Sequence, residues 1–391
     1  MASLVIFYSI TNTSDIDTFL NLCKLQNNNT LLKYGVFSLI LCASIKSVQI
    51  IGHLWLPDSM EAPVPASALI HSATLVSAGI YLLCKFNTVI AYFNFEQILV
   101  GLGAITAAYG GVTASFQSDK KKLLAYSTMS HCGFMWVLAS LNNIYVTIIY
   151  LYLHGIFKAA TFYCAGSFIR LYNTQDTRWM GSGAAYTKLD TLLLLICSAN
   201  LAGLPFTVGF IYKQFFLNLL LSKSIMPLWV GFLFIGMLSG LIYFFKLAFY
   251  STYDFYKNIK FLSLTSLLVN KNVTGNKIKI TNVNHLIATT LLIIFSFIVT
   301  FIFLKLFPVW SLTTDLNLNI SITELLMCKI TILYQNYYIF FYVLYFIIFL
   351  SLLFISWRNN IFYIEANITF ILLLLIILLM CEAILWPKLV R

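Results

Sequence analysis

The sequence predicts an all-α polytopic membrane protein of about ten transmembrane helices, and three observations predict it. Of 391 residues, 60% are hydrophobic and only 9% charged, whereas a soluble domain carries about a quarter of its residues as charges. Apolar runs long enough to cross a bilayer, roughly 20 residues, recur along the whole length, and the mean hydropathy is +0.89. These runs are continuous and do not alternate every second residue, which argues against a transmembrane barrel.

Taken in order, residues 1–10 are an apolar stub too short to span, and a polar stretch follows to about residue 30. Spans are predicted over 31–56, 64–85, 93–116, 121–140, 144–170, 188–222, 226–250, 284–306, 335–356 and 361–386. Short loops join them, apart from a basic loop at 251–282 and a mixed segment at 308–334. The run 188–222 is too long for one straight span, and Pro205 within it removes a helical hydrogen bond. Broken membrane helices occur where the backbone lines a polar cavity, so a break is expected there.

The charge pattern supports the topology. Alternating sides places Lys120, Lys121, Lys122, Arg170, Arg178, Lys188, the lysines of 251–282 and Arg358 on one face. Fewer basic residues fall on the other, and the richer face is the inner one by the positive-inside rule. The net charge of +11 is dispersed among membrane segments with no stacked basic–aromatic patch, so nucleic acid is not an expected partner. The eight cysteines show no CxxC pair or metal-ligand spacing, and no iron–sulfur or zinc site is expected. The N-terminus carries neither a basic segment ahead of an apolar core nor an Arg-rich, acid-poor leader. With 34 Phe and 23 Tyr, the composition fits an AT-rich gene and a protein made inside a mitochondrion.

Four basic residues fall inside spans: Lys46, Lys158, Lys213 and Lys246. A lysine at the centre of a membrane helix costs about 2.5–3.5 kcal/mol on insertion scales, and a purely structural helix would use Leu. Lys246 lies near a span end, where an ammonium can snorkel to water. Lys46 and Lys213 are expected mid-span, each beside a helix distortion. Burial weakens an ammonium's hold on its proton, so such a residue can load and release one. His71 lies in ALIHSATLVSAG, and His154 stands four residues before Lys158 in YLHGIFKAA, on the same helix face. Histidine titrates in the useful range, so lysines and histidines in a row predict a proton path. Tyr126, Ser127, Thr128 and Ser130 are candidate relays, although hydroxyls also simply satisfy helix backbone.

Four ordered blocks carry a family resemblance: IKSVQIIGHLWLPDSMEAPVPASALIHSATLVSAGIYLL (45–83), SDKKKLLAYSTMSHCGFM (118–135), LYLHGIFKAATFYCAGS (151–167) and GLPFTVGFIYKQ (203–214). They resemble subunit 5 of the NADH dehydrogenase of respiratory complex I, an antiporter-like subunit. Sister subunits 2 and 4 and the cation/proton antiporters share that fold, and MEAPVPASALIH favours subunit 5. The resemblance implies inverted five-helix repeats with discontinuous helices at the seventh and twelfth positions. It implies that Lys46 is the central-axis lysine, His71 the histidine of the next helix, His154 and Lys158 the connecting pair, and Lys213 the exit lysine. Glu61 and Asp119 fall in loops of structural or gating character. The expected organisation is a truncated helix end and polar loop (1–30), an antiporter-like translocation core (31–222) and C-terminal transmembrane helices (223–391).

Three departures from the family pattern stand out. The N-terminal helices are missing, and with them the glutamate that pairs with the central lysine, so a separate chain is expected to supply them. Gln214 and Tyr150 stand where relatives have an aspartate and a second histidine. Only about four residues separate the last two predicted spans, leaving no room for the family's long lateral helix. The implied function is proton translocation coupled to distant quinone reduction, within NADH:ubiquinone oxidoreductase of the mitochondrial inner membrane. The expected partners are other membrane-arm subunits and lipids. No cofactor is expected in this chain, because NADH, FMN, the iron–sulfur clusters and ubiquinone belong to other subunits. The alternatives are a cation/proton antiporter subunit and a non-pumping structural piece.

Overall fold

The computed structural model describes residues 2–11, 30–180, 188–204, 207–222, 226–252 and 287–299, with isolated positions between 16 and 20. The predicted spans 335–356 and 361–386, the loop 251–282 beyond Thr252 and the segment 308–334 lie outside the described residues. Within them the architecture is helical: α1 (Ala2–Thr11), α2 (Thr30–Lys46), α3 (Val64–Lys85), α4 (Glu96–Phe116), α5 (Lys120–Ser140), α6 (Ile144–Tyr172), α7 (Lys188–Ala202), α8 (Val208–Ser222) and α9 (Pro227–Thr252). A further apolar helix covers Ile287–Val299. α3, α4, α6 and α9 are each long and apolar enough to cross a membrane.

α5 is the centre of the bundle. Nearly every residue from Leu123 to Ser140 is buried, polar ones included. Its sequence carries Ser127, Thr128, Ser130 and His131, so it is less apolar than its neighbours and more deeply buried. A helix enclosed on all sides by protein can keep such groups, because they find partners inside the bundle. α4 packs most extensively on α5 and next on α9. A Cβ on Gly133 would stand 2.6 Å from the Ala107 backbone nitrogen, and one on Gly236 would stand 3.0 Å from the Ala107 carbonyl. Small residues let these backbones approach where lipid provides no hydrophobic drive.

Two predicted spans are broken. In the span 31–56, α2 stops at Lys46 and Val48 adopts a left-handed φ of 58°. The Gln49 and Val48 amides return to the carbonyls of Ser44 (2.8 Å) and Ile45 (3.3 Å). A β-branched residue in that region stores about 1–3 kcal/mol. The chain resumes as a 3-10 turn over Ile50–Gly52 and one helical turn over Trp55–Asp58. In the span 188–222, α7 ends at Ala202 with Gly203 at φ 70°, the left-handed terminus that glycine adopts without penalty. Gly209 approaches so closely that an added Cβ would collide with the Asn200 carbonyl oxygen. Asn200 sutures the break: its Oδ1 accepts from the Gly209 amide (3.3 Å) and its carbonyl from the Tyr212 hydroxyl (3.3 Å).

A third irregularity falls at His71. The span 64–85 holds one π-helical stretch, Ile70–Thr74, between α-helical Val64–Leu69 and Leu75–Lys85. π-bulges inside α-helices are frequent at functional sites because they turn one side chain out of the regular register.

Candidate proton pathway

Lys46, expected mid-span beside a helix distortion, occupies the last position of α2, where the distortion falls, with its side chain exposed. The physical reason is the break that follows: the helix ends under it, and none of the described elements covers that side. The other four predicted carriers are buried: His71 (0% exposed), His154 (2%), Lys158 (0%) and Lys213 (7%).

These four lie along one line. His71, turned by the π stretch, pairs its Nε2 with the Ser59 hydroxyl at 3.1 Å and stacks on Phe162 of α6 at 5.7 Å. Lys158, one turn before Phe162 on the same face of α6, donates to the Leu124 carbonyl (2.8 Å) and to Ser127 Oγ (2.5 Å) on α5. One turn along α6, the His154 ring stands 4.9 Å from that of His131. His131 pairs Nδ1 with the Tyr150 hydroxyl (2.8 Å) and Nε2 with the Tyr243 hydroxyl of α9 (3.1 Å). Tyr150 stacks on Tyr212 of α8 at 4.1 Å. The neighbouring Lys213 reaches back to the Leu201 and Ala202 carbonyls (3.0 and 2.7 Å). Lys158 also lies close enough to His71, His154 and His131 for their charges to interact.

Two ring nitrogens on this line, His71 Nδ1 and His154 Nε2, have no hydrogen-bond partner among the described residues. Of the four predicted hydroxyl relays, Ser127 touches a candidate carrier. Thr128 bonds the Ala125 carbonyl, Ser130 the Ala107 carbonyl, and Tyr126 is only half-buried. Glu61 is exposed in a 3-10 turn, and Asp119 lies on the surface in a 3.6 Å ion pair with Lys122. Neither joins the buried line. The side chain of Gln214 lies outside the described residues. Among the described residues no group of three or more His, Cys, Asp and Glu is placed to hold a metal ion.

Sequence reasoning missed His131, Tyr212 and Tyr243. The signal for His131 was available: Ser127 and His131 stand one turn apart in the helix facing His154 and Lys158. The tyrosines came from helices whose relative placement no spacing reveals.

The lysines share a mode of stabilisation that spacing did not predict. Lys213 donates to carbonyls at the C-terminal end of α7, and half-buried Lys246 donates to the Ser115 carbonyl at the end of α4 (3.0 Å). Lys121, expected as a loop lysine, is buried and donates to the Ala62 carbonyl (3.1 Å) just after the 3-10 turn Ser59–Glu61. Helix C-termini offer unpaired carbonyls and the negative end of the dipole, which lets an ammonium be held without a carboxylate. Lys120, also expected in a loop, is buried with its ammonium 4.4 Å above the Phe168 ring.

Outside the spans, residues 175–178 fasten α6 to the start of α5. The Lys120 amide donates to the Gln175 carbonyl (3.0 Å) and the Thr177 amide to the Ser118 carbonyl (2.9 Å). Asp176 accepts from the Arg178 guanidinium at 2.6 Å, and those hydrogen bonds hold its carboxyl below the usual carboxylate range.

Residues 1–239 match the family described as NADH:quinone oxidoreductase/Mrp antiporter, TM. The NADH-ubiquinone oxidoreductase chain 5 of Paramecium tetraurelia is 40% identical over 269 residues, 65% of this chain and 46% of that protein. That of Acanthamoeba castellanii is 36% identical over 245 residues, 59% of this chain and 36% of that protein. This chain therefore spans about half the length, or less, of these relatives. Among solved structures, the Mrp complex from Dietzia sp. DQ12-45-1b superposes with a TM-score of 0.56 at 19% identity, covering 63% of this chain and 47% of that one, a likeness of fold. With well over half its length matching the family model, the chain belongs to the NADH:quinone oxidoreductase/Mrp antiporter transmembrane family.

Proposed function

We propose that this chain is a proton-translocating membrane-arm subunit of an NADH:quinone oxidoreductase, multi-pass in the mitochondrial inner membrane. The observation that carries the reading is the buried line His71, Lys158, His154, Lys213, which runs from the π turn of α3 to the break between α7 and α8. In a low-dielectric interior a proton gained by one of these groups raises the cost of a proton on its neighbours. Loading at one end therefore favours release at the other. Quinone reduction elsewhere in the complex supplies the change of charge that loads the line. NADH, FMN, the iron–sulfur clusters and ubiquinone are bound by other subunits, and no redox step is assigned here.

The finer reading concerns Lys46. An ammonium in an apolar stretch needs a partner, and the exposed side of α2 around Lys46 also presents Tyr34, Phe37 and Ile45. A separate chain bearing a carboxylate on a membrane helix covers this side and completes the first half of the pathway. A map of the native complex with no protein against Lys46 would remove that partner.

The test of translocation is the purified complex in sealed vesicles. Lys158→Met and Lys213→Met are expected to lower protons moved per NADH oxidised while the complex still assembles. Unchanged stoichiometry in both variants would leave the chain a structural piece of the membrane arm.

A further inference from the structure

His131 is bonded through both ring nitrogens, and both partners are phenol hydroxyls from different helices: Tyr150 of α6 and Tyr243 of α9. All three side chains are buried, at 0%, 0% and 2% exposure. A neutral imidazole with two hydroxyl partners must donate through one nitrogen and accept through the other. The tautomer of His131 therefore sets the direction in which both hydroxyls point, and exchanging tautomers moves a proton from one side to the other.

The two ends of this bridge lead to the groups that the translocation reading uses. Tyr150, His154 and Lys158 follow one another at four-residue intervals on the buried face of α6. Opposite them Ser127 and His131 stand at the same interval on α5, Ser127 against Lys158 and the His131 ring 4.9 Å from His154. On the other side, the Tyr243 hydroxyl and Lys213 Nζ both lie within 3.6 Å of the point that a Cβ on Gly240 would occupy. Gly240 puts no side chain there.

We propose that His131 is the relay residue that carries protons between the α6 row and Lys213, by way of the Tyr150 and Tyr243 hydroxyls. The inference rests on the translocation reading above. The Tyr150 hydroxyl passes a proton to Nδ1 and is reprotonated from the His154 side. The imidazolium releases its Nε2 proton to Tyr243, whose own proton goes to the unprotonated amine of Lys213 through a water bridging the space left open at Gly240. His131 is left neutral in the other tautomer and must return to the first before the next transfer. No charge is left over, and no bond other than O–H and N–H is made or broken.

The test uses the assembled complex in vesicles, reading protons moved per NADH together with quinone reduction and assembly. His131→Gln keeps one donor and one acceptor for the two tyrosines but takes up no proton. It is expected to cut translocation by about a hundredfold, the lower end of the range for a lost proton-transfer group, with assembly retained. The exchange His131→Tyr with Tyr150→His, which restores an imidazole to the bridge, is expected to recover a substantial part. Wild-type pumping by His131→Gln, with Lys213→Met inactive, overturns the relay and leaves the translocation reading standing. Normal pumping by Lys213→Met overturns the relay, and normal pumping by Lys158→Met as well removes the translocation reading. If His131→Gln does not assemble, Tyr243→Phe decides: it deletes one hydroxyl, and wild-type pumping by it overturns the relay.

Discussion

Lys213 Nζ lies 2.7 Å from the carbonyl of Ala202, so the lysine of α8 closes the open end of α7 across the break between them. The break and the buried charge stabilise each other. The carbonyls left unpaired where α7 stops are the acceptors that make a buried ammonium tolerable, and the ammonium satisfies the carbonyls.

Gly203 is the residue on which this arrangement turns. A Cβ there would need the left-handed φ of 70° and would stand 2.5 Å from Lys213 Cδ. Gly203→Ala is expected to destabilise the chain by about 1 kcal/mol or more and to lower proton translocation by displacing Lys213. Thermal unfolding of the purified complex and vesicle acidification read the two effects. Unchanged values for both would mean that the break does not position the lysine.

Ser127 is expected to matter through Lys158 alone. Ser127→Ala removes one of the two acceptors of the Lys158 ammonium and leaves the Leu124 carbonyl. The expected loss is about 1–3 kcal/mol of stability for a partly unsatisfied charged donor. The same mutation in a Lys158→Met background should cost much less, which a double-mutant cycle measures.

The α4–α5 contact predicts a packing failure independent of any proton. A side chain at Gly133 would enter the backbone of α4 at Ala107 and Gly103. Gly133→Leu is expected to cost at least about 1–3 kcal/mol and to reduce the amount of assembled subunit, as seen on native gels. Gly231, around which a Cβ would meet nothing within 4 Å, is the control position.

The surface fastening around Asp176 predicts an acid response. Its carboxyl is depressed in the folded state by hydrogen bonds from Arg178, so the unfolded state binds the proton more readily. The contribution is present above the unfolded carboxylate value of about 3.9 and is lost as pH falls through the lower folded value. Amide exchange at Thr177 and Lys120, whose bonds hold residues 175–178 to α5, should be unchanged between neutral pH and mildly acid pH. It should rise only in strong acid, and Asp176→Asn should abolish that rise.

Much of the site was legible in the sequence. Lys158 and His154 were placed on one face by their four-residue spacing, and the break near Lys213 followed from the length of 188–222 and from Pro205. The distortion expected beside Lys46 is there, but its exact position was not legible: an apolar run reads the same whether the helix stops before or after a left-handed Val48. Hydropathy records the preference of side chains for lipid and is blind to where the backbone turns. The burial of Lys120 and Lys121 was not legible for a related reason, since it comes from Phe168 and from the carbonyl of Ala62, both distant in sequence.

By itself the sequence determined that the chain is helical and membrane-embedded, where most of the described helices run, and that His71, His154, Lys158 and Lys213 sit in apolar surroundings. Those properties follow from composition and short-range periodicity, which each segment carries alone. The tertiary structure decided what those residues touch. His131 meets Tyr243 from 112 positions away, and Lys246 meets Ser115 from 131. Such contacts depend on how glycine-lined helices settle against one another, and no local pattern encodes that.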